Sequence, residues 1–119
     1  MTEQDKKYLS DILQAIELIE SFTSGIKDFE NYLSDLKTQS AVERQLGIIG
    51  EAVNKYENLL PDSPILNARK IVGFRNRLIH AYDAIDQTIV WAILRNHILP
   101  LKMKFRQDFK ICLLLTRTV

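Results

Sequence analysis

Apolar residues recur at intervals of three and four positions along almost the whole chain, as they do on one face of an α-helix. Only four glycines and three prolines interrupt this pattern, and no segment shows the alternation of apolar and polar residues that is typical of a half-buried strand. The pattern therefore predicts an all-α fold, an antiparallel bundle of four to five helices joined by short turns.

Three helices are predicted before the proline-rich turn at residues 61–64. The first ends near Ser24-Gly25, where a C-cap and a turn are expected, and its apolar stripe is Leu9, Ile12, Leu13, Ile16, Ile19 and Phe22. The apolar residues of the short second helix are Phe29, Leu33 and Leu36. The stripe of the third helix is Val42, Leu46, Ile49, Val53, Tyr56 and Leu60. Two glycines within it are interpreted as points of close helix approach, Gly47 and Gly50.

A fourth helix is predicted from Ile65 to about Tyr82, and Asp86 can cap a fifth that runs towards the C-terminus. Pro100 removes a backbone donor and clashes with the carbonyl group four residues back. The fifth helix is therefore expected to kink at residues 97–101, or to end there and restart. Its aromatic residues follow helical spacing and are expected in the core: Trp91, Phe105 and Phe109.

The composition limits the function classes. The 119 residues have room for a single domain, 1–119, and 16 basic against 15 acidic residues leave a net charge of +1. Any contact with nucleic acid is therefore expected to be local. A single cysteine, Cys112, excludes an internal disulfide and a cysteine-rich zinc site. Neither a signal peptide nor an apolar run of about 18 residues is visible, so a cytoplasmic protein without membrane contact is expected.

The stretch from Gly73 to Asp83 divides its side chains between two faces when it is placed on a helix with about 100° per residue. The face expected in the core is Ile71, Phe74, Leu78 and Ala81. The polar stripe roughly opposite is Asn76, His80 and Asp83. A histidine directed away from the core among polar neighbours does not fill a cavity. Apolar Val72 and Ile79 lie next to this stripe, which suggests that it borders a subunit interface.

Arg75 and His80 lie five positions apart, about 140° on an ideal helix, so one helix does not easily form a compact site from both. Two copies of the helix related by a two-fold axis can bring two arginines and two histidines around one cleft. The spacing therefore predicts a homodimer.

Such a cleft suits cleavage of RNA. The imidazole of His80 can take the proton from a ribose 2′-hydroxyl or deliver one to the leaving 5′-oxygen. The guanidinium of Arg75 can hold the phosphate and stabilise the charge that develops on it. Asn76 and Asp83 flank the imidazole as supporting residues, and Arg77 either contacts the RNA backbone or belongs to a solvated face. No metal ion and no cofactor are expected.

The spacing of Arg75, His80 and Tyr82 resembles the R-x4-H-x-Y signature of HepT-like proteins in the HEPN superfamily, and Asn76 stands where that family has it. The resemblance extends over roughly the whole chain. It also includes the segments 41–44 and 49–52, the proline-rich turn, and Asp86 followed by Val90-Trp91.

This resemblance implies a homodimeric helical bundle that acts as a metal-independent endoribonuclease toxin of a type VII toxin–antitoxin system. It also implies an antitoxin partner, a small nucleotidyltransferase of the MntA kind, which transfers AMP from ATP to the motif tyrosine, here Tyr82. On the helical wheel Tyr82 lies about 20° from Arg75, so AMP attached there would bring phosphate charge beside the arginine that is expected to hold the substrate. The RNA substrate, tRNA or mRNA, is left open.

Two other interpretations are left open. The chain can be a non-catalytic subunit of a minimal two-component nucleotidyltransferase that binds a nucleotide through Arg75 and Arg77. It can also be a plain dimerisation module, although this leaves the polar stripe around His80 unexplained. His97 is expected at the surface near the proline, and the sequence assigns no role to Glu51.

Overall fold

The computed structural model describes residues 2–59, 73 and 86–117, and for residues 57–59 and 111–117 it describes the backbone alone. Five helices lie in these ranges: α1 (Glu3–Thr23), α2 (Phe29–Leu33), α3 (Leu36–Leu59), α4 (Gln87–Asn96) and α5 (Ile98–Arg117). This part of the chain contains no strand, so the all-α prediction is confirmed for it. The predicted helix at residues 65–82 lies outside the described residues, apart from Gly73, which is helical. No helix in these ranges has the apolar length that a bilayer crossing requires.

Helix α1 begins at a capping box. The side chain of Thr2 accepts a hydrogen bond from the backbone of Asp5, and the Asp5 carboxylate accepts one from the backbone of Thr2, each at 3.1 Å. These bonds satisfy N–H groups that lack a partner inside the helix. The helix ends at Ser24, which has a right-handed φ of −58° and closes the turn by donating to the carbonyl of Ser21. The C-cap and turn predicted at Ser24-Gly25 are confirmed, and Gly25 forms the turn without a positive φ.

The apolar stripe predicted for α1 faces the core over most of its length. The buried members are Leu9, Ile12, Ile16 and Ile19, and Leu13 packs beside them. Phe22 remains 38% exposed. Successive steps of three residues rotate around the helix, which carries Phe22 away from the centre of the stripe.

The short helix α2 buries Tyr32, which was not part of its predicted stripe. Of the predicted residues, Phe29 packs against the core, whereas Leu33 is 45% exposed and Leu36, which begins α3, is 72% exposed, so the stripe is wrong at these two leucines. The reason is a contact between distant segments. The ring of Tyr32 packs against Trp91 of α4 with centroids 5.6 Å apart, and Phe29 lies 5.9 Å from the same indole.

Helix α3 packs along α1. Lys55, near the end of α3, lies over the ring of Tyr8 near the start of α1, whereas Gln45 shares a hollow with Leu18 near the end of α1. The two helices are therefore antiparallel. The stripe predicted for α3 is confirmed over its described residues, since each is buried: Val42, Leu46, Ile49, Val53 and Tyr56.

The helix is interrupted at His97, between α4 and α5, as the position of Pro100 predicted. The backbone N–H of His97 donates to the carbonyl of Ile93 at 2.9 Å, and α5 begins at the next residue. Pro100 lies in the first turn of α5, where a missing N–H removes no helical hydrogen bond. His97 is half-buried at this break rather than fully at the surface.

Side-chain contacts connect α5 to α1 and α3. The hydroxyl of Tyr56 donates to Asp108 at 3.1 Å, and its ring stands edge-on to Phe105 at 5.8 Å. Lys102 Nζ lies 2.7 Å from Glu20 Oε1. The core prediction for the aromatic residues is confirmed, because Phe105 is buried and the other two pack against the core, Trp91 and Phe109.

Candidate functional site

The predicted catalytic, supporting and modification residues all lie outside the described residues: Arg75, Asn76, Arg77, His80, Tyr82 and Asp83. Gly73, two positions before the first of them, is helical and exposed, and a Cβ placed on it would meet no atom within 4 Å. The next described residue after the motif is Asp86. The geometry that bears on the predicted site therefore comes from the start of α4 and from the helices that it contacts.

Asp86 marks the entry of the chain into α4. Its backbone is extended, and its carboxylate accepts a hydrogen bond from the backbone N–H of Thr88 at 3.0 Å. It is thus the N-cap that the sequence predicted, a position where such a side chain stabilises a helix by about 1 kcal/mol. The helix start is consequently fixed three residues after Asp83.

Gln87, the first residue of α4, is bonded to α3. Its Nε2 donates to Glu43 Oε1 at 3.1 Å in a partly buried contact between residues 44 positions apart. Glu43 also acts on Tyr32 of α2, since its negative charge raises the pKa of that phenol. Glu43 is therefore linked to Gln87 of α4 by a hydrogen bond and to Tyr32 of α2 by its charge, and these three residues are called the polar cluster.

Tyr32 is the most deeply buried member of this cluster. Burial in the first place, and Glu43 in the second, raise its pKa far above the ordinary value of a tyrosine. The phenol is therefore expected to stay protonated at physiological pH. Among the described residues, neither its hydroxyl nor Oε1 of Gln87 has a hydrogen-bond partner. Buried atoms of this kind are commonly satisfied by ordered water.

A groove runs along the side of α1 and α3 that faces away from the core. It consists of two adjoining hollows of about 390 and 380 Å³, which share Asp11, Arg44 and Ile48. The first hollow extends to Lys7, Tyr8, Gly47, Glu51 and Lys55, and the second extends to Leu18. Both acidic and basic side chains line the groove around an apolar centre.

Lys55 joins the two sides of the first hollow. Its Nζ lies 3.4 Å from Glu51 Oε1 on the same helix and 5.9 Å from the centre of the Tyr8 ring on α1. Glu51, to which the sequence assigned no role, is thus a half-buried residue of this groove. Gly47 forms part of the groove wall, while Gly50 is buried on α3.

Neither Glu43 nor Gln87 was predicted from the sequence as a functional residue. Each carries a weak signal on its own, because Glu43 adjoins the buried Val42 and Gln87 follows a predicted cap directly. Neither feature predicts that these two residues, which lie 44 positions apart, contact each other. That pairing follows from the way α4 packs against α3.

Comparison with known proteins shows to which family the chain belongs. A family model described as "Ribonuclease HepT-like" matches residues 12–107. The chain is 44% identical over 111 residues to "Probable ribonuclease HepT" of Thermococcus cleftensis, an alignment that covers 90% of this chain and 97% of that protein. The chain belongs to the HepT-like ribonuclease family.

Relatives in Methanocaldococcus jannaschii include two proteins named "Putative RNase". One is 37% identical over 94 residues, with 78% of this chain and 77% of the relative covered. The other is 32% identical over 106 residues, with 88% and 90% covered. No solved structure matches the chain. The HepT-like resemblance drawn from the motif is confirmed, and with it the assignment to a family of enzymes that act as ribonucleases.

Proposed function

We propose that this chain is a metal-independent endoribonuclease, the toxin of a type VII toxin–antitoxin system, with Arg75 and His80 as its catalytic pair. The observation that carries the proposal is the family match, which spans residues 12–107 and so includes both residues at the R-x4-H-x-Y spacing. The substrate is tRNA or mRNA in the cytoplasm, and the active form is a homodimer.

Cleavage proceeds by attack of the ribose 2′-oxygen on the adjacent phosphorus. The imidazole of one His80 takes the 2′-hydroxyl proton while the O2′–P bond forms, and the other copy delivers a proton to the 5′-oxygen as the P–O5′ bond breaks. The products are a 2′,3′-cyclic phosphate and a 5′-hydroxyl. An imidazole with a pKa near 6.5 suits both tasks at neutral pH, and acid–base help of this kind contributes about 10²–10⁴ in rate. Arg75 stabilises the charge on the phosphate.

Three neighbouring residues support this pair. Asn76 and Asp83 lie on the same predicted stripe as His80 and orient its imidazole, and Arg77 contacts the phosphate backbone. In the homodimer the two stripes face one another, so the cleft between the subunits holds the scissile phosphate.

Regulation is proposed at Tyr82. A nucleotidyltransferase antitoxin of the MntA kind joins the α-phosphate of ATP to the tyrosine hydroxyl and releases pyrophosphate. The attached phosphate then occupies the place of the substrate phosphate beside Arg75. Two of the other tyrosines are poor targets, because Tyr32 and Tyr56 are buried. Tyr8 is only partly buried, so the choice of Tyr82 rests on its place in the motif.

The test is incubation of the unmodified protein with total cellular RNA in EDTA, followed by analysis of the product ends. We expect fragments with 2′,3′-cyclic phosphate ends, and a loss of about 10²-fold or more in the variants His80→Ala and Arg75→Ala. Circular dichroism of both variants checks that they remain folded. An absolute need for added magnesium contradicts the mechanism. Intact RNA, with a protein mass that excludes AMP on Tyr82, favours the nucleotide-binding subunit instead.

A further inference from the structure

The outer face of α5 carries a stripe that is apolar at one end and basic at the other. Its members are spaced by four, three and four positions, which places them on one side of the helix. This α5 stripe consists of Leu99, Met103, Arg106 and Lys110. All four are exposed, Leu99 at 62% and Met103 at 66%. The opposite side of α5 is buried in the bundle, where the helix packs against α1 and α4.

The two basic residues of the α5 stripe are available to a ligand. Arg106 and Lys110 have no ion pair with any residue that the structure describes. Lys102 and Lys104, by contrast, lie 2.7 and 3.0 Å from carboxylate oxygens. The single acidic residue in the sequence of α5, Asp108, is buried on the opposite side of the helix, so it does not neutralise the stripe.

Charge is distributed unevenly between α5 and the rest of the chain. The sequence of α5 contains five basic residues and one acidic residue, a net charge of +4, whereas the whole chain has a net charge of +1. The remainder of the chain therefore carries −3. A basic helix on an otherwise acidic chain creates a local positive potential that attracts a polyanion. The small net charge limits any contact with nucleic acid to a local surface of this kind.

We infer that the α5 stripe binds single-stranded RNA, at residues separate from the proposed catalytic pair. Arg106 and Lys110 contact the phosphates, which are the groups that basic side chains commonly bind in nucleic acids. Leu99 and Met103 contact the bases, because the bases of an unpaired strand can turn outward, whereas a duplex presents mainly phosphates and riboses. The inference rests on the proposed function, since the bound strand is the substrate.

RNA fits this surface better than other anionic partners do. A member of a ribonuclease family must bind RNA in any case. An anionic bilayer is a poorer occupant, because an interfacial helix inserts a large apolar face, and that face of α5 is buried in the bundle. An acidic protein matches the charges but does not compete with RNA for a site that RNA never occupies, so direct measurement of RNA binding separates the two.

The first experiment measures binding without cleavage. The probe is a fluorescently labelled single strand of 2′-O-methyl RNA of about 16 nucleotides. Its blocked 2′-oxygens cannot attack phosphorus, so the strand stays intact in the presence of the full chain. For Arg106→Gln combined with Lys110→Gln, we expect Kd at about 0.1 M salt to rise about tenfold or more. The dependence of log Kd on log salt concentration is expected to weaken by about 0.7 for each lost phosphate contact.

A matched control separates local contacts from net charge. Lys27→Gln combined with Lys37→Gln removes the same charge from two exposed lysines outside α5, and Kd is expected to stay within about threefold of the native value. Arg106→Lys combined with Lys110→Arg keeps both charges and is expected to retain the native salt dependence. Circular dichroism checks that all these variants remain folded.

The apolar end of the α5 stripe is tested separately. Leu99→Gln combined with Met103→Gln removes apolar contacts but no charge. We therefore expect Kd for the single strand to rise about threefold or more, with an unchanged salt dependence. The native protein is expected to bind the single strand more tightly than a duplex of the same sequence, and this variant is expected to lose the preference.

The inference is overturned if the α5 variant and the lysine control change Kd equally, or if the native protein prefers the duplex. It is also overturned if Arg106→Gln with Lys110→Gln abolishes binding to phosphatidylglycerol vesicles and leaves RNA binding intact. The proposed function can fail separately. A protein that binds the blocked strand through the α5 stripe but leaves ordinary RNA intact supports this inference and refutes the ribonuclease mechanism.

Discussion

Glu43 of α3 accepts a 3.1 Å hydrogen bond from Gln87, the first residue of α4, across 44 positions of sequence. Gln87 follows Asp83 by four residues, and four residues of extended chain span at most about 14 Å. The bond therefore fixes, relative to α3, the point where the chain leaves the motif segment. Because catalytic groups lose rate when they are displaced by about 1 Å, this anchor is expected to affect cleavage.

The first prediction concerns this anchor. Glu43→Ala and Gln87→Ala are each expected to lower kcat about tenfold with little change in KM, and to lower the free energy of unfolding by about 1 kcal/mol. The double variant Glu43→Gln with Gln87→Glu exchanges the two groups and is expected to recover the rate. Trp91, the only tryptophan of the chain and one turn further along α4, reports by its fluorescence whether α4 stays docked.

The control for this anchor is Glu20→Gln, which weakens the 2.7 Å pair with Lys102 between α1 and α5. It is expected to change stability without changing kcat, because neither residue adjoins the motif segment in sequence. If the exchanged pair fails to recover kcat, Glu43 and Gln87 contribute to stability alone.

The second prediction concerns Tyr32, whose buried hydroxyl has no hydrogen-bond partner in the described part of the chain. Tyr32→Phe removes an atom that is costly to desolvate, so the free energy of unfolding is expected to stay constant or to rise by about 1 kcal/mol. Urea unfolding followed by circular dichroism measures this change. A loss of more than about 1 kcal/mol would show instead that the hydroxyl binds an ordered water.

The third prediction concerns Tyr56, which donates to the buried carboxylate of Asp108 at 3.1 Å. Tyr56→Phe leaves that carboxylate with Lys104, 3.0 Å away, and is expected to lower the free energy of unfolding by about 2 kcal/mol. The matched control is Tyr8→Phe, because the Tyr8 ring retains its contact with Lys55. Equal losses of unfolding free energy in the two variants would mean that the hydrogen bond from Tyr56 to Asp108 does not itself stabilise the fold.

The fourth prediction concerns acid stability. Hydrogen bonds from the hydroxyl and then the backbone N–H of Thr38 hold the pKa of Asp35 below its ordinary value in the folded protein. A lowered folded-state pKa stabilises the fold above the unfolded-state pKa of about 4, and this contribution is lost as the pH falls through the folded-state value. Asp35→Asn is therefore expected to lower Tm at pH 7 and to differ less from the native protein at pH 2. A difference in Tm that is constant with pH contradicts this.

Much of the fold was predictable because helix formation depends on neighbours a few residues apart. The stripe of α3, the cap at Asp86 and the break before Pro100 all follow from spacing and from the chemistry of single residues. The predictions that failed concern the end of α1 and the shortest helix, α2. Leu33 is exposed because the five-residue helix α2 is too short for its own periodicity to set its orientation, which follows from the packing of Tyr32 against Trp91. Leu36 is not part of α2 but begins α3.

The candidate site was likewise predictable only in part. The spacing of Arg75, His80 and Tyr82 indicated the HepT-like family, because catalytic residues on one local segment leave a pattern in the sequence. The roles of those residues, and the helix expected around them, stay predictions.

The sequence by itself determined the helical character of the described segments, which face of α1 and α3 is apolar, and the ribonuclease family. Only the tertiary structure decided that Glu43 meets Gln87, that the buried hydroxyl of Tyr32 has no hydrogen-bond partner among the described residues, and that Gly47 and Ile48 lie on an open groove. The physical reason is the sequence separation between the residues that make each contact. A helical face is set by contacts three or four residues apart, whereas a contact across 44 positions depends on how all the helices pack together.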